Sequence, residues 1–285
     1  MKIYNHMAKL VFVVIFITFY LIDSAQSQTV TWAIADRPTS YILRGKDKGR
    51  GAVDELYSLL QKHLKGYQHK NHEMTFARVL QQMKCGKNVC ACGFRSSKRE
   101  EVGLFSQPAI IAMPYSIVTK KGHFSQIFSN AHSISLEKLI KNRSITGGIT
   151  QERSYGSITA VINENQNKNI DILANTSNLI KMLILDRVDY IIEIPSFAVY
   201  MVKQFQPQIS LQSISIIENT NEILLARIFC TKNQWGKNII RKIDKILDQE
   251  KGKPEYLELM ERWYDENSRL VIRRYYNNGF ITSQR

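Results

Sequence analysis

Two spacings of apolar and polar residues alternate along the first third of the chain. Residues 30–36 and 88–94 form short apolar runs of strand character, and residues 67–74 form a short polar strand candidate. Between them, residues 49–66 and 75–86 carry apolar side chains at three- and four-residue steps, which is typical of amphipathic helices. The series strand, helix, strand, helix, strand predicts a parallel sheet with helices on its faces.

The same alternation returns after Lys121. Helices are predicted for residues 135–142, 154–166, 177–187, 195–205, 233–252 and 253–269, and strands for residues 144–150, 169–174, 188–194, 209–217 and 222–230. Ser154 is placed to cap one of these helices, and Pro195 stands in the first turn of another, where proline is tolerated. The pattern therefore predicts a second α/β unit, with the chain crossing between the two.

The first 27 residues have the pattern of a secretory signal peptide. Two lysines and no acid precede the apolar run "LVFVVIFITFYLI", and small residues follow, with Ala25 and Ser27 at the positions that precede cleavage. The alternative is a membrane anchor, but the run is shorter than the ~20 apolar residues that a spanning helix needs. We expect cleavage after Ser27 and a mature chain outside the cytoplasm, long enough for two domains of ordinary size.

Charge and cysteine content narrow the classes of function. The formal net charge is +14, but the basic residues are scattered and interleaved with acids, which indicates a solvated surface; we expect no nucleic-acid partner. The chain has four cysteines, Cys85, Cys90, Cys92 and Cys230, which fit an oxidising compartment. Four cysteines allow three sets of disulfide pairs, and buried free thiols are the alternative. We expect at least one disulfide. Neither these cysteines nor the histidines have metal-site spacing, and we expect no cofactor.

Six segments in order carry a family resemblance. They are an early P-x-x-Y formed by Pro38 and Tyr41, "GRGAVDELYSLL", "SSKREEVGLFSQP", "PYSIVTKK", "LDRVDYIIEIPSFAVY" and "EILLARIFCTKNQWGKNIIRKIDKIL". The series resembles the extracellular solute-binding proteins of the polar amino-acid-binding family, which have the type II periplasmic-binding-protein fold. The third segment is the most specific, and the doubled cysteine before Gly93 resembles an uncharacterised bacterial subgroup of this family.

The resemblance implies a two-lobed α/β architecture. Lobe one would comprise residues 28–117 and 223–285, lobe two would comprise residues 118–222, and strands near Ser116 and Asn221 would form the hinge. The ligand would lie in the cleft between the lobes, at the carboxyl ends of strands and the amino ends of helices, where open α/β sheets bind ligands.

The resemblance also implies ligand-binding residues. Arg99 matches the arginine that grips the ligand carboxylate, and a guanidinium can do so with two parallel hydrogen bonds. Ser96 matches the hydroxyl three residues before it, and Ser154 and Tyr155 match the groups that face the same carboxylate from lobe two. The alternatives are a surface salt bridge of Arg99 with a neighbouring glutamate and a plain helix cap at Ser154.

Two departures from the family pattern bear on the ligand. The acid that would bind an amino group is expected at position 194, whereas Glu193 comes one residue earlier; in a strand this offset turns the side chain to the opposite face, unless a bulge corrects it. Arg153 and Arg95 add cations, so a dicarboxylate or another multiply anionic solute becomes plausible. Tyr41 and Phe94 have two interpretations, stacking on the ligand and packing in the core.

We therefore expect a monomeric extracytoplasmic solute-binding protein. Its ligand would be an amino acid or a small carboxylate, and its partner would be a transporter permease. The alternative is a sensor or interaction protein that serves a membrane receptor, which the sequence does not separate from uptake. An enzyme on the same fold is not expected, because the sequence contains no G-x-S-x-G or H-E-x-x-H motif.

Overall fold

A computed structural model describes residues 29–122, 133–151, 153–165, 169–173, 176–219, 222–264 and 266–281. The predicted signal peptide and the predicted hinge residue Asn221 lie outside these residues. No helix in the described part of the chain is long and apolar enough to cross a membrane.

The described residues form eleven strands. Their bounds are β1 Thr29–Ile34, β2 Gln68–Glu73, β3 Val89–Phe94, β4 Gly103–Ala112, β5 Ser116–Lys120, β6 Ser133–Ile134, β7 Gly147–Thr150, β8 Ile170–Leu173, β9 Tyr190–Glu193, β10 Leu211–Ile216 and β11 Leu224–Thr231. The helices packed on them are α1 Ala52–His63, α2 Phe76–Lys84, α3 Ser97–Glu100, α4 Leu136–Lys141, α5 Thr159–Asn163, α6 Thr176–Ile184, α7 Pro195–Phe205, α8 Gln234–Glu250, α9 Pro254–Glu261 and α10 Glu266–Tyr275. Further helical turns occupy Gly156–Ile158, Ile217–Asn219 and Tyr276–Phe280.

The strands form two sheets, as the sequence predicts. The first has the order β2–β1–β3–β11–β4, and the second has the order β6–β10–β5–β9–β7–β8. Strand β1 is parallel to β2 and β3, whereas β11 is antiparallel to β3 and β4. The first sheet is therefore mixed, because a strand from the C-terminal half returns to it. The chain leaves this sheet after β4 and returns to it at β11, which gives two lobes.

Each lobe has an apolar core beneath its helices. On α1, the predicted face is buried: Val53, Leu56, Tyr57 and Leu60 pack against the first sheet around Trp32. Burying a side chain of this size contributes about 1.5–3 kcal/mol, so one such helical face is enough to dock the helix. The second lobe has its own clusters of buried residues, on β9, α6 and α7 among other elements.

One disulfide joins two strands of the first sheet. Cys90 on β3 lies opposite Cys230 on β11 in the strand register, and the two are bonded. The prediction of at least one disulfide is confirmed, while Cys85 is exposed and free and Cys92 is buried and free. The bonded residues are 140 positions apart, so the bond closes a loop that contains lobe two and constrains the unfolded chain.

Three predicted elements differ from the structure. Residues 97–100, for which the sequence analysis gives no helix, form α3. The helix expected from Ser154 is reduced to a helical turn and the short α5, because Gly156 adopts a positive φ of 64°, which interrupts a right-handed helix. Ser154 therefore caps no helix, and Tyr155 is the residue that precedes the turn.

The third difference is at the C-terminus. The single helix predicted for residues 253–269 ends with α9 at Glu261, and a new helix begins at Glu266. The side chain of Arg269 holds the break, since its guanidinium donates to the backbone carbonyls of Glu261, Arg262 and Tyr264. Trp263 and Tyr264 lie in this break, beside the space between the lobes.

Candidate functional site

A cavity lies between the two lobes and encloses about 890 Å³, including its mouth. Both lobes and the C-terminal segment contribute to its wall. The side chains that matter below are Arg37, Tyr41, Phe76, Phe94 and Arg99 from lobe one, Arg153, Ser154, Ile194 and Phe197 from lobe two, and Trp263 and Tyr264 from the break after α9. The wall is therefore largely apolar and aromatic, with three guanidinium groups.

Arg99 is deeply buried at one end of the cavity. The residue is 4% exposed, its guanidinium lies 4.5 Å from the centre of the Phe76 ring, and it donates to the carbonyl of Phe94. Among the described residues no carboxylate lies within ion-pair distance of it, and Glu100 pairs with Arg95 instead. Arg99 is thus a buried cation on a short helix and not a cation on an exposed loop.

The surroundings of Arg99 disfavour its charge. Burial lowers the pKa of its guanidinium to about 10, and the nearby cations Arg37 and Arg153 push that pKa in the same direction, against the opposing effect of Tyr115. The group nevertheless stays protonated at neutral pH. An anion in the cavity would relieve the desolvation of this cation, because a buried charge is stable only when it is paired.

Arg153 and Glu193 form a closed pair beside Arg99. Both terminal nitrogens of Arg153 donate to the Glu193 carboxylate, one of them at 2.6 Å, and its Nε donates to the Tyr115 hydroxyl at 3.0 Å. Burial alone would lower the pKa of Arg153, but Glu193, Tyr115 and Tyr155 together outweigh that effect and the pKa is raised. Arg153 is thus a paired cation, whereas Arg99 is not.

Glu193 lies behind Arg153 and does not line the cavity. It is fully buried at the end of β9, where its Oε1 also accepts from the backbone N–H of Ile194 at 2.6 Å. A nitrogen of Arg37 lies 3.7 Å from the same oxygen. The carboxylate is therefore surrounded by the protein's own donors.

Ser154 and Tyr155 lie on the lobe-two side of the site. Ser154 lines the cavity, and its carbonyl accepts from the hydroxyl of Tyr115 at 3.2 Å. The Tyr155 hydroxyl accepts from the backbone N–H of Thr150 at 2.7 Å, and the Tyr155 N–H donates to Thr159 at 3.0 Å. Burial raises the pKa of Tyr155 to about 12. Tyr155 thus uses its hydroxyl and its N–H inside lobe two.

A second, wider cavity of about 1570 Å³ adjoins the first. The two share Arg99, Arg153 and Ser154, and the second is also lined by Ser96 and Tyr155. Of the eight residues expected in the site, the structure thus brings five to the first cavity and two to its neighbour, and leaves Glu193 behind the wall. Their roles toward a ligand stay predictions.

The rings of Tyr41 and Phe94 pack against the protein and also line the cavity, and stacking of either ring on a ligand stays a prediction. The ring of Tyr41 lines the cavity, while its hydroxyl shares a 3.2 Å hydrogen bond with that of Tyr57, which in turn donates to a backbone carbonyl. Burial raises the pKa of Tyr41. Phe94 is half-buried and meets Tyr115 edge-on, with ring centres 6.1 Å apart. Both side chains therefore pack against the protein and present an apolar surface to the cavity.

The sequence analysis missed several residues of the wall, among them Arg37, Phe76, Trp263 and Tyr264. Arg37 was detectable, since it follows β1 at the carboxyl end of that strand, where ligand-binding residues of open α/β sheets gather. Phe76 lies in the helix predicted for residues 75–86, and the sequence analysis did not connect it with the site. Trp263 and Tyr264 gave no signal, because their segment reads as the middle of one continuous helix.

The match to a known family decides what this architecture is. Residues 29–266 match the family described as bacterial extracellular solute-binding proteins, family 3. The chain belongs to this family. No curated protein matches the chain at the sequence level. The family membership accounts for the two lobes and for a cavity between them.

Solved structures of similar proteins agree with the fold. A Listeria monocytogenes protein provisionally assigned as an L-cystine ABC transporter is 21% identical with a TM-score of 0.65, over 84% of this chain and 97% of that one. An ancestral arginine-binding protein bound to arginine is 20% identical with a TM-score of 0.64, over 83% and 98%.

The solved structure of a histidine kinase sensor domain with similarity to periplasmic binding proteins also resembles this protein. It is 13% identical with a TM-score of 0.66, and the match covers 84% of this chain and 97% of that domain. At sequence identities of 13–21%, the similarity of these three structures to this protein concerns the fold alone.

Proposed function

We propose that this protein is an extracytoplasmic solute-binding protein that captures a small carboxylate between its two lobes. The observation that carries this proposal is Arg99, a cation that is 4% exposed, lines the cavity and has no carboxylate partner among the described residues. A ligand carboxylate would supply that partner through two parallel hydrogen bonds. Ser154 would approach the same ligand from lobe two, and Ser96 from the adjoining cavity.

The finer features of the proposal follow from family membership and the N-terminal sequence. The chain would be exported by its signal peptide, cleaved near Ser27, and would act in the periplasm as a monomer that delivers the solute to a membrane permease. Residues 28–117 with 223–285 would form lobe one, and residues 118–222 would form lobe two. The protein would bind its ligand without turnover.

A sensor role is the second candidate. It is favoured by the likeness in fold to a histidine kinase sensor domain, whose TM-score of 0.66 equals or exceeds those of the transport-related structures named above. In that case the ligand-bound protein would contact a membrane receptor instead of a permease. Cross-linking of the ligand-bound protein in intact cells, followed by identification of the membrane partner, separates the two roles.

The binding site is tested by substitution of Arg99. A thermal-shift screen against amino acids, dicarboxylates and small anions first finds a ligand, since a ligand that binds only the folded state raises the melting temperature. Arg99→Ala should then weaken binding by about 2–5 kcal/mol, roughly thirty-fold to several thousand-fold, because the ligand carboxylate loses a desolvated partner. Arg99→Lys should restore only part of this, since an ammonium lacks the planar fork.

Lys98→Ala is the matched control, because this neighbouring cation is exposed. Calorimetry on the three variants, with circular dichroism to verify folding, measures the effect. If Arg99→Ala binds the ligand as tightly as the parent protein, Arg99 does not hold the ligand and the proposed site on lobe one is wrong.

A further inference from the structure

The charges around the cavity are unbalanced in favour of cations. Arg37, Arg99 and Arg153 line it, and among the described residues no aspartate or glutamate does. An α-amino acid brings an ammonium as well as a carboxylate. At the position of that ammonium it would find the field of three guanidinium groups and no acidic acceptor.

The acid that ends β9 beside the cavity, Glu193, is already engaged. Glu193 is fully buried, and its two oxygens accept from both terminal nitrogens of Arg153 and from the backbone N–H of Ile194. Arg153 stands between this carboxylate and the cavity, since Arg153 lines the cavity and Glu193 does not. A ligand ammonium would have to displace a bidentate guanidinium to reach it, which costs a strong charge-assisted pair.

The rest of the wall is mostly apolar, with Thr39, Ser40 and Ser154 among its polar residues. Tyr41, Phe197 and Trp263 present rings to the cavity, and the hydroxyl of Tyr41 and the indole N–H of Trp263 are engaged with Tyr57 and with the carbonyl of Arg50. Such a surface gains free energy from covering an apolar ligand body and offers few partners to a polar one.

We propose that the ligand is a carboxylate that carries an apolar or aromatic body and lacks an ammonium group, such as a 2-hydroxy or 2-oxo acid with a ring or branched chain. Its carboxylate would bind Arg99, and its body would lie against the aromatic wall. This inference rests on the proposed function and specifies the class of its ligand. The pairing of Arg153 with Glu193 is the feature that excludes the ammonium.

The test compares ligands that differ at one group. L-3-phenyllactate and L-phenylalanine share the ring and the carboxylate and differ only in a hydroxyl against an ammonium; L-2-hydroxy-4-methylpentanoate and L-leucine form a second such pair. Calorimetry at pH 7 should show the hydroxy acid of at least one pair binding about ten-fold or more tightly than its amino acid. Succinate serves as a small polar dianion and should bind more weakly than that hydroxy acid.

A variant pair tests the role of Arg153. Arg153→Met removes the bidentate partner of Glu193 and leaves it the backbone N–H of Ile194 and the more distant Arg37, 3.7 Å away, so the preference for hydroxy acid over amino acid should fall by about ten-fold or more. The matched control, Arg153→Met with Glu193→Gln, offers no acid and should keep the preference of the parent protein. An unchanged preference in Arg153→Met refutes the role of the pair, and if that variant does not fold, the ligand comparison on the parent protein decides alone.

Two outcomes separate the inference from the proposed function. If neither hydroxy acid binds about ten-fold or more tightly than its amino acid, or if succinate binds more tightly than both hydroxy acids, the inference is overturned and a carboxylate-binding protein remains. Absence of binding by every amino acid and carboxylate in the screen overturns the proposed function as well.

Discussion

At the scale of single residues, Arg99 shows a conflict between stability and binding. Its cation is buried without a carboxylate partner among the described residues, and burial lowers its pKa to about 10. Because the folded-state pKa lies below the unfolded value, the charged form is disfavoured by folding. This penalty is present in full at every pH below about 10 and is relieved only when the pH rises above that value.

Replacing Arg99 by an apolar residue of similar length should therefore stabilise the empty protein. We expect Arg99→Met to raise the free energy of unfolding by about 1–3 kcal/mol at pH 7 without ligand, since apolar replacements of buried charges are often stabilising. Urea titration measures the change, and Lys98→Met, at an exposed position, should differ little from the parent. A lower stability of Arg99→Met than of the parent would show that the cation stabilises the fold.

Sequence reasoning found Arg99 but not the electrostatics around it. The sequence alone shows a basic residue just after a strand, within a segment that resembles the family. The pairing of Arg153 with Glu193 is not, because it depends on how the loop after β7 approaches the end of β9. The offset of Glu193 from position 194 left open whether its side chain faces the cleft; in the structure Glu193 does not line the cavity, and nothing in the sequence indicated its partner Arg153.

At the scale of elements, the last helix lies beyond the part of the chain that matches the family. The family match ends at residue 266, where α10 begins. Ile272, Tyr276 and Phe280 from this segment are buried in the core of lobe one. Lys251 is covered there too, with its Nζ 4.6 Å from the Phe280 ring centre, and burial lowers its pKa to about 8. The segment therefore closes one side of lobe one.

Ending the chain at residue 266 should destabilise the protein without abolishing binding. Three large side chains leave the core, and the gain in chain entropy offsets part of their burial, so we expect a loss of about 2–5 kcal/mol in the free energy of unfolding. Ligand affinity should fall several-fold, because Arg269 leaves with the segment and no longer holds the break that carries Trp263 and Tyr264 of the cavity wall. A chain ending at Ile281 keeps these contacts and is the control. An unchanged melting temperature on truncation at 266 would contradict this prediction.

The helices and strands with long periodic patterns were predictable, and the breaks between them were not. The predicted faces of α1 and α8 are buried, because apolar spacing alone specifies which side meets a sheet. The break after Glu261 is made by Arg269, eight residues further along, and by tertiary packing of Trp263 and Tyr264. No local sequence signal marks this break, so the sequence analysis did not place Trp263 and Tyr264 in the cavity wall.

At the scale of the whole molecule, the two lobes touch each other directly across the cleft. The Ser177 hydroxyl of lobe two donates to Asp36 of lobe one at 2.9 Å, and the rings of Tyr200 and Trp263 meet edge-on at 5.2 Å. The order of motifs along the sequence predicted two lobes, but not these contacts, since they join residues far apart in the chain. They give the closed arrangement a stability of its own, to which a ligand adds.

We therefore expect closure to depend both on the ligand and on these contacts. A ligand shifts the lobes only by its differential affinity for the closed state, so saturating ligand should reduce the radius of gyration measured by small-angle scattering. Tyr200→Ala should enlarge the ligand-free protein and weaken binding several-fold, because fewer molecules are binding-competent. Phe205→Ala, at an exposed site on the same helix, is the control. If neither proven saturation nor Tyr200→Ala changes the radius, the lobes do not act as a clamp.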